Sequence, residues 1–292
     1  MKSIYIIGSL NMDMTVKAQR LPVIGESLVG SSFVTAHGGK GANQAVAAAR
    51  LGSNVKMCGC VGKDSFGKEL KGSLADEGIN TDFVFDADIS TGVAVITVVN
   101  GNNAIVVDPG ANGKVTAQQA LSFLSDAKKG DILLVQLETD FDAVKKALSF
   151  AKEKGMLVVV NPAPAHKRAA ELCEYSDCFI PNETELEAIT GTSDTENGLN
   201  ILKDMGTKIP AVTLGGEGCA YLLDGKIIYK KCEKVVTVDT TGAGDTFCGG
   251  LCTGLSEDKS FEEAVELALK AATLSVTRRG AQPSIPYRNE IK

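Results

Sequence analysis

Short apolar runs recur along this 292-residue chain and alternate with stretches of helical spacing. Such runs lie at residues 3–7, 55–58, 132–136, 157–161, 178–180 and 211–214. They are too short for helices and show little polar alternation. A strand that is apolar on both faces has to be covered on both faces, as in parallel sheets with helices above and below. Between the runs, residues 41–51 are rich in alanine and stop at Gly52, and residues 66–77 stop at Gly78. Alanine favours the helix, and glycine closes it. Further helical stretches fall at 140–154, near 183–189, at 245–255 and at 261–276. Asp224-Gly225, between residues 221–223 and 226–229, is a two-residue hairpin signal. This rhythm predicts an α/β fold with a mainly parallel central sheet covered by helices.

Two segments break the rhythm. Residues 14–34 have strand-like stretches around a Pro-Val-Ile-Gly turn, and residues 92–108 read as a β-hairpin around Asn100-Gly101-Asn102-Asn103. They form either a small accessory sheet or two edge hairpins of the main sheet. No internal repeat, low-complexity tract or long linker divides the chain.

Thirty basic against thirty-six acidic residues leave a net charge of −6, which argues against a basic surface for nucleic acid. A small-molecule partner is expected instead. No run of apolar residues is long enough to span a membrane. The N-terminal apolar stretch is too short for a signal peptide, so a reducing cytoplasm is the expected compartment. The eight cysteines include no C-x-x-C pair and the only histidines are His37 and His166, so a four-ligand zinc site is not expected. Cys248 and Cys252 share a helix face and read as small core residues. With so few histidines, a general base is expected to be a carboxylate.

Five Gly-Lys pairs occur, none followed by Ser or Thr, so the phosphate-binding pattern G-x-x-x-x-G-K-[ST] is absent. The dinucleotide pattern G-x-G-x-x-G also fails at residues 39–44 and 242–247. The most informative string is D-T-T-G-A-G-D-T-F at residues 239–247. Its glycines let backbone approach a ligand, and the helix that follows points free N–H groups and a positive dipole end at the same place. That suits a phosphoryl group in flight, whose charge spreads over its oxygens. Asp245, in the first helical turn, is placed to accept the proton of an attacking alcohol. Spacing alone leaves open that Asp245 or Thr241 only caps the helix.

This string resembles the C-terminal signature of the ribokinase family of carbohydrate kinases. H-G-G-K-G-A-N-Q-A at residues 37–45 resembles its N-terminal signature, and G-S-L-N-M-D at residues 8–13 resembles a sugar-contacting segment. Matching strings follow in family order at 134–138, 161–165, 181–185, 213–218 and 277–284, over nearly the whole chain. The resemblance implies one doubly wound α/β domain over residues 1–292 with a small β lid, roughly residues 13–36 and 92–108. It implies ATP-dependent phosphorylation of D-ribose at O5, with 2-deoxyribose or another furanose as the nearest rival and a non-catalytic sugar-binding regulator as a more distant one. It also implies Mg²⁺, K⁺ and a homodimer formed through the lid.

Residue roles carried over by that resemblance are as follows. Asp245 is the base, and the N–H groups of Gly242, Ala243 and Gly244 form the anion hole. Asn11, Asp13, Gly39, Lys40, Asn43 and Glu138 contact the sugar. A small polyol needs such convergent carboxylate and amide groups to satisfy its hydroxyls. Asn182 and Glu185 serve magnesium and phosphate, Glu185 through a water; their spacing equally fits a helix capping box. Thr213, Gly215, Gly216 and Gly218, with Gly244, line the nucleotide. Asp239, Thr241, Ser275, Arg278, Gly280 and Ser284 match the monovalent-cation loop, with Arg278 offering only its carbonyl. One position departs from the family pattern. Leu269 stands where related kinases carry a polar residue near the nucleotide.

Overall fold

A computed structural model describes residues 2–291. The chain runs through β1 (Ile4–Ile7), β2 (Asn11–Ala18), β3 (Ser31–Gly38), α1 (Lys40–Arg50), β4 (Val55–Gly62), α2 (Ser65–Asp76), β5 (Asn80–Ala87), β6 (Gly92–Val99) and β7 (Asn102–Asp108). It continues through α3 (Ala117–Phe123), β8 (Ile132–Val135), α4 (Phe141–Glu153), β9 (Leu157–Val160), β10 (Cys178–Phe179), α5 (Glu183–Thr190) and α6 (Thr195–Asp204). β11 (Ile209–Thr213), β12 (Cys219–Leu223), β13 (Lys226–Lys230), α7 (Ala243–Ser256) and α8 (Phe261–Ser275) complete it.

The main sheet has nine strands in the order β13-β12-β11-β10-β9-β8-β1-β4-β5. It is parallel except at β12 and β13, which pair antiparallel. Successive β1 side chains enter two different cores. Ile4 and Ile6 pack with residues of α1, α7 and α8, while Tyr5 and Ile7 pack with residues of α3 and α4. Helices therefore cover both faces, which is why the strands are apolar throughout. The chain leaves β1 for β4 and β5 on one side, then returns for β8 to β13 on the other. This reversal leaves a crevice at the carboxyl ends of β1 and β8, where ligands bind in open α/β sheets.

The two segments that break the rhythm join into a separate sheet, in the order β3-β2-β6-β7. β2 and β6 run parallel from Asn11↔Gly92 to Ala18↔Val99, with β3 and β7 antiparallel outside them. β2 starts before the expected segment, so Asn11 and Asp13 sit within a strand rather than in a turn. β4 likewise runs on past Cys58 to Gly62. Three elements have no counterpart in the sequence reading: β5, α3 and α6. β5 (N-T-D-F-V-F-D-A) carries two aspartates, and α6 (T-E-N-G-L-N-I-L-K-D) carries a glycine and two asparagines. In both, burial of a few apolar side chains outweighs poor propensity. α3 is only seven residues long and is held by a Thr116–Gln119 capping box.

α1 meets the end of β1 almost backbone to backbone. A Cβ on Gly41 would stand 2.6 Å from the Gly8 backbone, so only glycine permits this approach. Among the described residues, no helix is long and apolar enough to cross a membrane.

Candidate active site

α7 starts at Gly242, whose left-handed backbone (φ 76°) turns the chain sharply into the helix. No acceptor among the described residues takes the N–H of Gly242 or Gly244, so both are available to an anion. The Ala243 N–H instead donates to the carbonyl of Thr240 (3.2 Å), which makes it the weakest of the three expected anion-hole donors. Asp245 follows in the first turn and is 8% exposed. Its Oδ2 accepts from Asn43 Nδ2 (2.9 Å) and its Oδ1 from Gln44 Nε2 (3.0 Å). Burial pushes its carboxyl above the ordinary range, while Lys40 and these two amides pull it back down. α1 and α7, two hundred residues apart in sequence, thus meet at this carboxylate.

Asp13, Lys40 and Glu138 share the same crevice. Glu138 Oε2 accepts from the Ser9 hydroxyl and from the Lys40 backbone N–H (3.3 Å). Gly39 caps α1 with φ 90°, and a Cβ there would strike the Asn11 backbone N at 2.7 Å. Burial drives the Asp13 carboxyl up to about 7, helped by the negative charges of Glu138 and Asp245 and opposed by Lys40. Burial lowers the Lys40 ammonium, but Asp245, Glu138 and Glu185 more than offset this and hold it charged. Asn11 is buried, and its Oδ1 accepts from Asn112 Nδ2 (2.6 Å). That bond leaves the Asn11 amide N–H groups for another acceptor.

A cleft of about 670 Å³ opens beside Gly244. Thr213, Gly215, Gly216 and Gly218 form one wall, and Leu269 lies in the other with Phe247, Ala272 and Val276. Leu269 is thus part of an apolar wall that suits the flat face of a base. Asn182 stands at the cleft edge as the cap of α5. Glu185 and Asn182 form a reciprocal capping box, with Asn182 N donating to Glu185 Oε2 (2.9 Å) and Glu185 N to Asn182 Oδ1 (2.8 Å). One carboxylate oxygen of Glu185 is therefore engaged by the helix and the other is not. Burial raises this carboxyl, against the pull of the Asn182 N–H and Lys40.

Asp239 ties two loops together. Its Oδ1 accepts from the Thr241 N–H (3.0 Å) and hydroxyl (2.7 Å), and its Oδ2 from the Gly280 N–H (2.9 Å). Burial raises the Asp239 carboxyl, but these bonds outweigh it and hold the group below its usual range. Among the described residues, no donor takes the carbonyls of Thr241, Arg278 or Gly280. Ser284 is fully buried and donates to the Ala281 carbonyl (2.7 Å), leaving its oxygen lone pairs free. The carbonyl of Ser275 accepts from Arg278 N (3.0 Å), so it is a poorer ligand than the others.

Sequence reasoning missed Ser9, Gln44, Asn112, Gln136 and Asn161. Ser9, Gln44 and Asn112 bind the expected site residues Glu138, Asp245 and Asn11, while Gln136 and Asn161 bind Gln44. Gln136 and Asn161 did carry a signal, because each is a polar side chain at the end of an otherwise apolar strand.

The chain is similar to known proteins over its whole length. The model of the pfkB family of carbohydrate kinases matches residues 1–288. The ribokinase of Haemophilus influenzae is 41% identical, the alignment covering 99% of this chain and 97% of that protein. The deoxyribokinase of Salmonella typhimurium is 37% identical over 97% of this chain and 95% of its own length. A ribokinase of Arabidopsis thaliana, solved with ribose and ATP, superposes with a TM-score of 0.91 at 32% identity, covering 99% of this chain and 97% of that one.

Proposed function

The chain belongs to the pfkB family of carbohydrate kinases, and from that premise we infer that it transfers the γ-phosphoryl group of ATP to O5 of D-ribose. The observation that carries the reading is the position of Asp245. It lies on the helix whose N-terminus offers free N–H groups to phosphate, and it is bonded directly to α1, which carries Lys40 and Asn43 of the residues expected at the sugar.

The geometry supports a single displacement. Asp245 accepts the proton of the O5 hydroxyl as O5 bonds to the γ-phosphorus, and the bond from that phosphorus to the bridging oxygen breaks to release ADP. The Gly242 and Gly244 N–H groups meet the charge that develops on the phosphoryl oxygens. Asn11 donates to sugar oxygens, and Asp13 and Glu138 accept from sugar hydroxyls. Lys40 balances the three carboxylates.

Mg²⁺ and K⁺ fit the residues present. The unengaged oxygen of Glu185 suits a water of a phosphate-bound Mg²⁺, which neutralises phosphate charge when bound. The free carbonyls of Thr241, Arg278 and Gly280, with Ser284 and Asp239, suit K⁺, which would order the loop before α7. The exposed apolar residues Phe33, Val95, Ile105, Val106 and Val107 on the small sheet support a homodimer through that sheet. The same sheet would act as the lid that excludes water over the sugar. Eight unpaired cysteines, seven of them buried, support a reducing compartment such as the cytoplasm.

ADP release with Mg-ATP tests the reading, comparing D-ribose with 2-deoxyribose, each with and without K⁺. Ribose-dependent and K⁺-stimulated turnover is expected. Better turnover of 2-deoxyribose moves the substrate to that sugar, and indifference to K⁺ removes the ion loop alone. No turnover with either sugar, from folded protein, defeats the assignment.

Asp13 adds a pH dependence. Its carboxyl sits near 7, so it is protonated below that pH and loses acceptor capacity toward the sugar. At one pH unit below its midpoint only about a tenth of the sites are ionised, so KM for ribose rises about tenfold from pH 8 to pH 6. KM for ATP, bound in the neighbouring cleft, stays level. A ribose KM that is flat over this range, measured by initial rates, would rule out an ionised Asp13 as a sugar ligand.

A further inference from the structure

Behind Asp245 stands a line of amides, two of them fully buried, that the reaction as described does not use. Asn161, just past β9, donates from Nδ2 to the carbonyl of Ile180 (2.8 Å). That carbonyl can only accept, so the Asn161 amide has one orientation and turns its Oδ1 toward Gln44. Gln44 Nε2 donates to this Oδ1 (3.0 Å) and to Asp245 Oδ1 (3.0 Å). Gln44 Oε1 in turn accepts from Gln136 Nε2 (2.5 Å). Gln44 and Gln136 are both fully buried. Turning the Gln44 amide over would set its oxygen against two oxygens and its N–H groups against those of Gln136. With the Ile180 carbonyl at one end and the Asp245 carboxylate at the other, the line has only one polarity.

We propose that Gln44, locked by Asn161 and Gln136, is a positioning residue that aims the Asp245 carboxylate at the sugar hydroxyl and keeps it ionised. The inference rests on the reading of Asp245 as the base. Each Asp245 oxygen takes one side-chain N–H, from Gln44 or Asn43, and keeps an acceptor site free for the incoming proton. Without the Gln44 N–H, the carboxylate loses a donor to its charged form and one of its two orienting contacts. A merely structural role, pinning α1 to β8 and β9, would cost stability but leave the titration of the base unchanged.

The test uses Gln44→Met and Gln136→Met in the full chain. Both remove a donor at similar side-chain length; the second acts one bond further from Asp245. The charged and titratable groups facing Asp245, namely Lys40, Glu138, Asp13, Glu185 and Cys248, stay in place in both. The pH profile of kcat is measured at saturating ribose and ATP, with the thermal midpoint recorded alongside. For Gln44→Met, kcat falls roughly 10- to 100-fold. Its acid limb moves to higher pH by about one to two units, the size of one lost bond to a charged group. Gln136→Met moves the limb in the same direction by less, and it carries the test alone if Gln44→Met does not fold. An acid limb unmoved in the folded variants overturns the proposal, even where stability has dropped. An Asp245→Asn protein that keeps the wild-type rate instead defeats the reading of the base, and this inference with it.

Discussion

Asp245→Asn lowers kcat for ribose by about three orders of magnitude, within the range for loss of a general base. The amide is nearly isosteric, so the crevice keeps its shape. It cannot take the O5 proton, and its own N–H₂ meets one of the N–H donors that hold the carboxylate, Asn43 or Gln44. That mismatch costs about 1–3 kcal/mol of stability. ATP binding remains, because the glycine loop and the Leu269 wall are untouched. Coupled ADP release gives the rate, and calorimetry gives the ATP affinity. A kcat within tenfold of wild type would remove Asp245 from the role of base.

Gly244→Val separates the anion hole from the fold. A Cβ on Gly244 meets nothing within 4 Å, and the residue borders the nucleotide cleft. On the proposed reading, the added side chain crowds the phosphate at an N–H that has no other partner among the described residues. Blocking such a donor costs about 10²–10³ in kcat. The thermal midpoint should hardly move, since a substitution into open space changes stability by about 0.5 kcal/mol or less. Gly242 does not serve this purpose. Its left-handed φ of 76° would strain any side chain, and the fold would suffer with the site. Undiminished turnover by a folded Gly244→Val protein would mean that phosphate lies elsewhere.

The residues expected at the sugar were legible in the sequence only in part. Asn11, Asp13, Lys40, Asn43 and Glu138 all lie at one crevice with Asp245. Chemistry alone pointed to an anion loop and a carboxylate base while leaving helix capping open; the residues expected at the sugar became legible only through resemblance to a family. The residues missed are those whose partners lie far along the chain. Gln44 meets Asn161 and Asp245, Ser9 meets Glu138, and Asn112 meets Asn11. Each looks like an ordinary polar residue until its distant partner is known.

The alternation of apolar strands and helices determined the layered α/β architecture by itself. A strand with no polar face has to be buried on both sides, and that requirement is local to the sequence. The D-T-T-G-A-G-D string likewise pointed to an anion loop, because glycine freedom and helix polarity are properties of adjacent residues. Tertiary structure alone decided three other matters. It chose one separate sheet over two edge hairpins for residues 11–38 and 92–108, through a parallel β2–β6 pairing that no local pattern encodes. It raised the Asp13 carboxyl toward neutrality by burying it near two other carboxylates from distant elements. It also gave Asp245 its amide support from α1. Burial and charge proximity depend on distances across the fold, and spacing along the chain carries no record of them.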